Sequence, residues 1–142
     1  MIEPLRKEHF DDVYELAIEF CSNSPYSALG VDKQTLFNTL DFVSNIGLSF
    51  VYVHEGKCIG VILGMEAPAW FNSSVVNAME LMWWVSKNHR GVGWMLKDAY
   101  ERAALEKKIN YVGLATLPSS GISDKLNKDG YMVTETAWIK EI

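Results

Sequence analysis

The stretch Trp83-Trp84-Val85-Ser86-Lys87-Asn88-His89-Arg90-Gly91-Val92-Gly93-Trp94 decides how this chain is read. Upstream of it, residues 78–85 (AMELMWWV) are almost all apolar, as a central strand covered on both faces must be. Downstream, residues 91–108 place Val92, Met95, Leu96, Ala99 and Ala103 at helical spacing. A buried strand thus passes through a short polar loop into a helix whose start holds Arg-Gly-Val-Gly. The amides of a helix N-terminus lack intrahelical partners and carry about half a positive charge. Gly91 and Gly93 let a phosphate approach that backbone without a Cβ clash, and Arg90 adds a cation at the same place. These residues predict a pyrophosphate cradle. The nucleotide phosphate loop Gly-x4-Gly-Lys-Ser/Thr is absent. The dinucleotide fingerprint fails because Leu96 stands where its third glycine belongs, which argues against a dinucleotide-binding oxidoreductase.

Working outward, residues 111–116 read as a strand, so 78–85, 91–108 and 111–116 form a strand–helix–strand crossover with a parallel pair. Residues 1–5 read as a short strand. Residues 7–21 follow as a helix with Phe10, Val13, Ala17, Phe20 and Cys21 on one face and acids in its first turn. Asp32 is the expected N-cap of a second helix bearing Leu36, Leu40 and Val43. Residues 49–54 and 58–65 read as strands joined by the two-residue turn Glu55-Gly56. Residues 67–74 read as a loop, and 119–127 as a short helix or turn ended by Gly130. Two weaker strands are expected around Met132 and Trp138. The order is β-α-α-β-β-β-α-β-α-β-β. It implies a mixed α/β fold, a mostly antiparallel sheet with one parallel crossover, and ligand space where the strand before the crossover helix ends.

The chain has 142 residues, which matches one domain over 1–142. Hydrophobic residues at 49% and charged residues at 22% exclude a disordered or low-complexity chain. No apolar run reaches the ~18–20 residues of a membrane span, and the N-terminus lacks a signal-peptide pattern. A cytoplasmic location is therefore expected, with Cys21 and Cys58 as reduced thiols. No metal ligand set is visible. Net charge is −5, carried by residues 1–71 (four basic, ten acidic); residues 72–142 hold nine basic and eight acidic side chains. No basic stripe with interleaved aromatics supports nucleic acid. The excess of basic side chains between Lys87 and Lys108 points either to an anionic ligand or to a solvated helix face laced by the i,i+4 pairs Lys97–Glu101 and Asp98–Arg102.

Glu80 is the sole acid in the apolar strand 78–85. Burial there raises a carboxyl pKa toward neutrality, the condition for a general base at neutral pH; the competing reading is a solvated strand-edge acid or a lysine partner. Trp83 and Trp84 are adjacent, so their side chains face opposite sides of the sheet. His54 and His89 read as surface residues. Trp70-Phe71, in a turn-rich segment, reads as a lid over an acceptor or as a contact with a second copy in a homodimer.

The Arg90-x-x-Gly93 turn after the strand ending at Val85, together with the element order, resembles the coenzyme A loop of the GCN5-related N-acetyltransferase superfamily. The resemblance covers essentially the whole chain. Glu80-x-x-Trp83-Trp84-Val85, Gly130-Tyr131 and the run from Glu135 to Lys140 are also similar to small acetyltransferase-like proteins of bacteriophages, which would place it in a host cytoplasm. The resemblance implies acetyl transfer from acetyl-coenzyme A directly to a primary amine, on a small molecule or a protein. It implies that the backbone of Trp83, Trp84 and Val85 binds the pantetheine arm and polarises the thioester carbonyl. Arg90, Gly91, Val92, Gly93, Trp94 and Met95 would wrap the pyrophosphate, and Ser119 would flank the far side. Three positions depart from the family pattern: Met95 replaces a small residue, Ser119 an asparagine, and Leu126 the tyrosine that often protonates the leaving thiolate. The alternative these departures favour is a silent binding or particle-associated module of the same fold that retains coenzyme A.

Overall fold

The computed structural model describes residues 1–89 and 91–142. Its centre is a five-stranded sheet in the order β1-β2-β3-β4-β5, built from β1 (Ile2–Pro4), β2 (Phe50–His54), β3 (Lys57–Ala69), β4 (Asn72–Val85) and β5 (Tyr111–Val112). All neighbours are antiparallel except β4 and β5, which run parallel. This is the mixed sheet with one parallel crossover that the apolar periodicity implies. Helix α1 (Phe10–Ser22), preceded by a 3-10 turn at Lys7–His9, and α2 (Lys33–Ser44) cover one face. The crossover helix α3 (Gly93–Glu106) covers the other, and α4 (Ser123–Lys128) follows. Asp32 caps α2 by accepting the Thr35 N–H at 2.9 Å. No helix among the described residues is long and apolar enough to cross a membrane.

The core explains the unbroken apolar run of β3. Val61 and Leu63 pack with Phe10, Val13, Leu16, Leu40 and Val43 on the α1–α2 face. Ile62, between them, packs with Leu96, Tyr100 and Ala104 of α3 on the other. Alternate residues of a strand point to opposite faces, so a strand buried on both sides needs apolar residues throughout.

The segment 67–74, read from sequence as a loop, is instead the outer half of a long hairpin. β3 and β4 stay paired to Ala69 and Asn72, and only Trp70 and Phe71 form the turn. Pro68 is tolerated because the register shifts at Pro68/Ala69 and because β2 leaves β3 at Ile62, making this half of β3 an edge. Three other boundaries differ. β5 pairs over two residues rather than six. α4 begins at Ser123. The strands expected around Met132 and Trp138 do not form: residues 131–142 have no regular structure, and Trp138 is 91% exposed.

Candidate active site

The site begins with an extra residue. β4 pairs with β3 at Leu63↔Met82 and again at Gly64↔Glu80, leaving Leu81 as a β-bulge. A bulge inverts the alternation of a strand. Before it, the carbonyls of Val76 and Ala78 turn toward β5 and accept the N–H groups of Asn110 (3.0 Å) and Gly113 (2.8 Å). After it, the Ser86 N–H bonds the Ile59 carbonyl (2.8 Å), so Ser86 and Trp84 pair inward with β3. By the antiparallel alternation, Trp83 and Val85 then turn their N–H and C=O groups outward.

Among the described residues, nothing pairs with that outward edge. β5 pairs with β4 only at Asn77↔Tyr111 and Ala78↔Val112, then diverges. At the point of divergence the Glu80 carboxylate accepts the Ala115 N–H at 2.9 Å, a side chain standing in for the missing ladder bond. Burial pushes the Glu80 carboxyl up to about 7, against the Ala115 N–H, which favours the charged form. The lone acid of the apolar strand thus lies where β4 and β5 part, with its carboxyl pushed up to about 7. Tyr100, which sequence reasoning treated only as part of a helix, is fully buried, and its hydroxyl donates to the Gly113 carbonyl at 2.9 Å. It holds β5 to α3 where the strands part, and its phenol is raised by burial and then by the Glu80 charge. A tyrosine on the inner face of an otherwise aliphatic helix was its only sequence signal.

Beyond the end of β4 comes the start of α3. The first helical bond runs from the Leu96 N–H to the Val92 carbonyl (3.2 Å), and no side chain caps the helix. Among the described residues, the amides of Gly93, Trp94 and Met95 have no acceptor. Gly91 has φ +105°, a conformation that favours glycine, with open space where a Cβ would project. The Trp83 indole donates to the Gly93 carbonyl at 3.0 Å, clamping the end of β4 to the start of α3. The Lys87 N–H donates to Glu19 of α1 at 3.0 Å, which anchors the intervening loop from the other side. Arg90, expected to supply the cation, lies outside the described residues.

The tryptophans divide as alternation requires. Trp83 packs on the α3 face, and Trp84 on the α1–α2 face, edge-on to Phe20 at 5.9 Å between centroids. Neither indole is placed by its contacts over the cleft, so the contribution of Trp83 to the open edge is its main chain. Trp94 turns toward α4, with Lys125 Nζ 4.1 Å from its ring centroid. Met95 is 49% exposed. Ser119 occupies an exposed turn before α4, and no hydrogen bond among the described residues brings it to the α3 start. Leu126 is buried. His89 lies against His54 (5.5 Å between centroids) and lines a cavity of about 270 Å³ beside Asp12, Glu15 and Glu19 of α1. Glu3, Glu8 and His9 cluster near β1, but His9 Nδ1 accepts the Arg6 N–H (3.1 Å), which makes Nε2 a proton donor facing carboxylates rather than a metal ligand.

The basic excess of α3 needs correction. Lys97 is 1% exposed, and its ammonium is taken up by carboxylates of the chain itself. Its ammonium meets Glu101 (2.8 Å), Asp98 (3.1 Å) and Asp129 just beyond α4, and lies 4.9 Å from the Trp94 ring centroid. Burial opposes its charge, but the three carboxylates outweigh burial and hold its pKa above the ordinary lysine value. Lys97 therefore docks α4 onto α3. Lys97→Met strands these partly solvated acids, and we expect it to cost about 2–3 kcal/mol, below the ~3–5 for breaking a fully buried pair. Urea unfolding at pH 7 measures it; an unchanged midpoint would remove this role.

No family model matches the sequence, and no curated protein matches it either. Solved structures do match in fold. An acetyltransferase of Trypanosoma brucei is 18% identical with a TM-score of 0.77, over 100% of this chain and 99% of that one. The aminoglycoside N-acetyltransferase AAC(6')-Iy, in complex with a bisubstrate analog of coenzyme A and acetylneamine, is 19% identical with a TM-score of 0.70, over 100% and 97%. A transcriptional regulator of Bacillus halodurans is 9% identical with a TM-score of 0.73, over 100% and 99%. At such identities the likeness is one of architecture: end to end, this chain has the mixed α/β fold of those acetyltransferases.

Proposed function

We propose that this protein transfers an acetyl group from acetyl-coenzyme A directly to a primary amine. The observation that carries the reading is the open edge of β4 beyond the Leu81 bulge, with a carboxyl pushed up to about 7 at its root and, at its end, amides that have no acceptor among the described residues. The outward N–H and C=O groups of Trp83 and Val85 suit an extended amide-bearing arm, which would add to β4 as a strand does. The amides of Gly93, Trp94 and Met95, with Arg90 from the sequence, suit a diphosphate. The fold neighbour that holds a coenzyme A conjugate supports the same ligand.

The chemistry follows from the charges. A lysine-like amine, pKa ~10.4, is protonated at pH 7 and cannot attack. Glu80, directly or through water, takes that proton. The nitrogen lone pair then forms the N–C bond at the thioester carbonyl, whose oxygen is polarised by main-chain N–H groups of β4. The C–S bond breaks, and the thiolate leaves with the electron pair. Leu126 has no proton to give, and the Tyr131 hydroxyl is engaged with Glu101 on α3, so the second proton, lost by the newly bonded nitrogen as it becomes an amide, passes through water to the thiolate. The acidic first half of the chain favours a cationic acceptor.

Calorimetry with acetyl-coenzyme A is expected to show binding in the ~1 μM–1 mM range usual for enzyme substrates. Free-thiol release across a panel of polyamines and amino sugars then identifies the acceptor class. Absence of binding at about 1 mM overturns the proposal. The buried Leu126 favours a second reading, a silent module that binds the coenzyme; binding without thiol release from any amine selects it.

A further inference from the structure

Two of the three histidines in the chain meet in the fold. His54 ends β2, and His89 lies in the loop between β4 and α3. Their distance in sequence hides the pair from any ligand-spacing motif. Their ring centroids are 5.5 Å apart, with the planes tilted by 53°. The Glu55 carboxylate comes within 3.9 Å of His54 Nε2, beyond hydrogen-bond reach. The acetyl-transfer chemistry uses neither ring.

The spacing is that of two ligands on one ion. With a Zn–N bond of ~2.0–2.1 Å and a ring centroid ~1.1 Å behind its nitrogen, two imidazoles in tetrahedral coordination hold their centroids ~5.2 Å apart. A neutral imidazole has one unprotonated nitrogen to offer a metal. Charge favours a cation in the gap. His89 lines the cavity that Asp12, Glu15 and Glu19 of α1 also line, and Lys57 is the one cation among its lining residues. Glu55, whose side chain is 86% exposed, reaches the same ion by turning that side chain. Two imidazoles with a carboxylate and water suit zinc and its neighbours, whereas calcium and magnesium take oxygen ligands.

We propose that His54 and His89 form a binding site for a divalent transition metal of the zinc class, with Glu55 as the third ligand. Such an ion ties the turn between β2 and β3 to the loop that leads into α3. The proposal is independent of the acetyl-transfer reading, and its test reads metal binding rather than turnover.

Equilibrium dialysis of the metal-stripped full chain against Zn²⁺ at about pH 7.5 is expected to load one ion per chain. His54→Gln and His89→Gln are each expected to weaken uptake by about tenfold or more, since outer-shell partners alone carry ~10–100-fold. The His54 side chain is half-exposed, so the far-ultraviolet circular dichroism should be retained. Zinc should raise the melting temperature of the wild type and not that of either variant. A measurement on the unaltered protein stands beside the variants: in nuclear magnetic resonance, zinc should shift the ring signals of His54 and His89 together and leave those of His9 in place. No uptake at about 100 μM zinc overturns the proposal. So does uptake that survives both substitutions, or that shifts His9 instead of the pair.

Discussion

Glu80→Gln is expected to lower kcat/KM for amine acetylation by about 10²–10⁴-fold, the range attributed to a positioned general base. Binding of acetyl-coenzyme A should be unchanged, because the outward groups of Trp83 and Val85 belong to the main chain. In the wild type, kcat/KM should rise with pH up to about 7, where the Glu80 carboxyl loses its proton. The variant should lack that rise. A second readout tests the carboxyl without any substrate. A folded pKa of about 7, above the ~4.3 of an unfolded glutamate, means that the folded state holds the proton more tightly. The associated stability is fully present below ~pH 4.3 and is lost as pH rises through about 7. By pH 8 the ionised group costs up to about 3 kcal/mol relative to its solvated state. Glutamine carries no such penalty, so the variant should gain on the wild type between pH 5 and pH 8 in urea unfolding. Equal stability differences at the two pH values would show that the carboxyl is not held near neutrality, and wild-type turnover in the variant would dismiss it as the base.

Gly64→Ala is expected to be the most damaging single methyl in the fold. Gly64 lies opposite Glu80 across the bulge. A Cβ there would lie 2.5 Å from the Leu48 carbonyl oxygen and 2.7 Å from Cε2 of Tyr100. The first neighbour is backbone, and the second is a ring locked by its bond to Gly113. The Ser49 hydroxyl adds rigidity, since it accepts the Gly64 N–H at 3.0 Å and donates to the Gly64 carbonyl at 3.3 Å. Overpacking of this kind costs ~3 kcal/mol, or a fall in Tm of roughly 6–12 °C for a chain of this size. Gly60→Ala provides the comparison. Its Cβ would meet side-chain ends, Leu96 Cδ1 at 3.0 Å and Val85 Cγ2 at 3.2 Å, which are longer contacts and need shift by only a few tenths of an ångström. Thermal unfolding of both variants should rank Gly64→Ala well below Gly60→Ala; equal melting temperatures would refute the backbone clash.

The parts of this molecule legible in its sequence are those governed by short periods. The alternation that buries Val61, Ile62 and Leu63, the cap at Asp32 and the crossover from β4 through α3 to β5 all leave local marks. Glu80 stood out because it interrupts an apolar strand, and the structure places it where two strands part. Other features depend on partners distant in the chain. Lys97 looked like one member of an exposed i,i+4 pair, and nothing local announced Asp129 as its third carboxylate. Pro68 and the polar residues after it looked like a loop, because the retreat of β2 that makes proline harmless there is a property of the sheet. The Leu81 bulge lies within a run so uniformly apolar that no change of phase is visible in it. The segment after Tyr131 has the composition of a strand, but pairing requires an edge, which composition does not supply.

The bulge has an evolutionary corollary. It divides β4 into two halves with separate phases, so events in the distal half need not propagate to the proximal one. The orientation of Trp83 and Val85 is set by their own ladder with residues 59–62. The arm ending at Trp70-Phe71 is thereby free to grow or shrink by paired insertions and deletions. A lineage with this architecture is able to remodel what that arm touches while inheriting the outward edge of β4 intact.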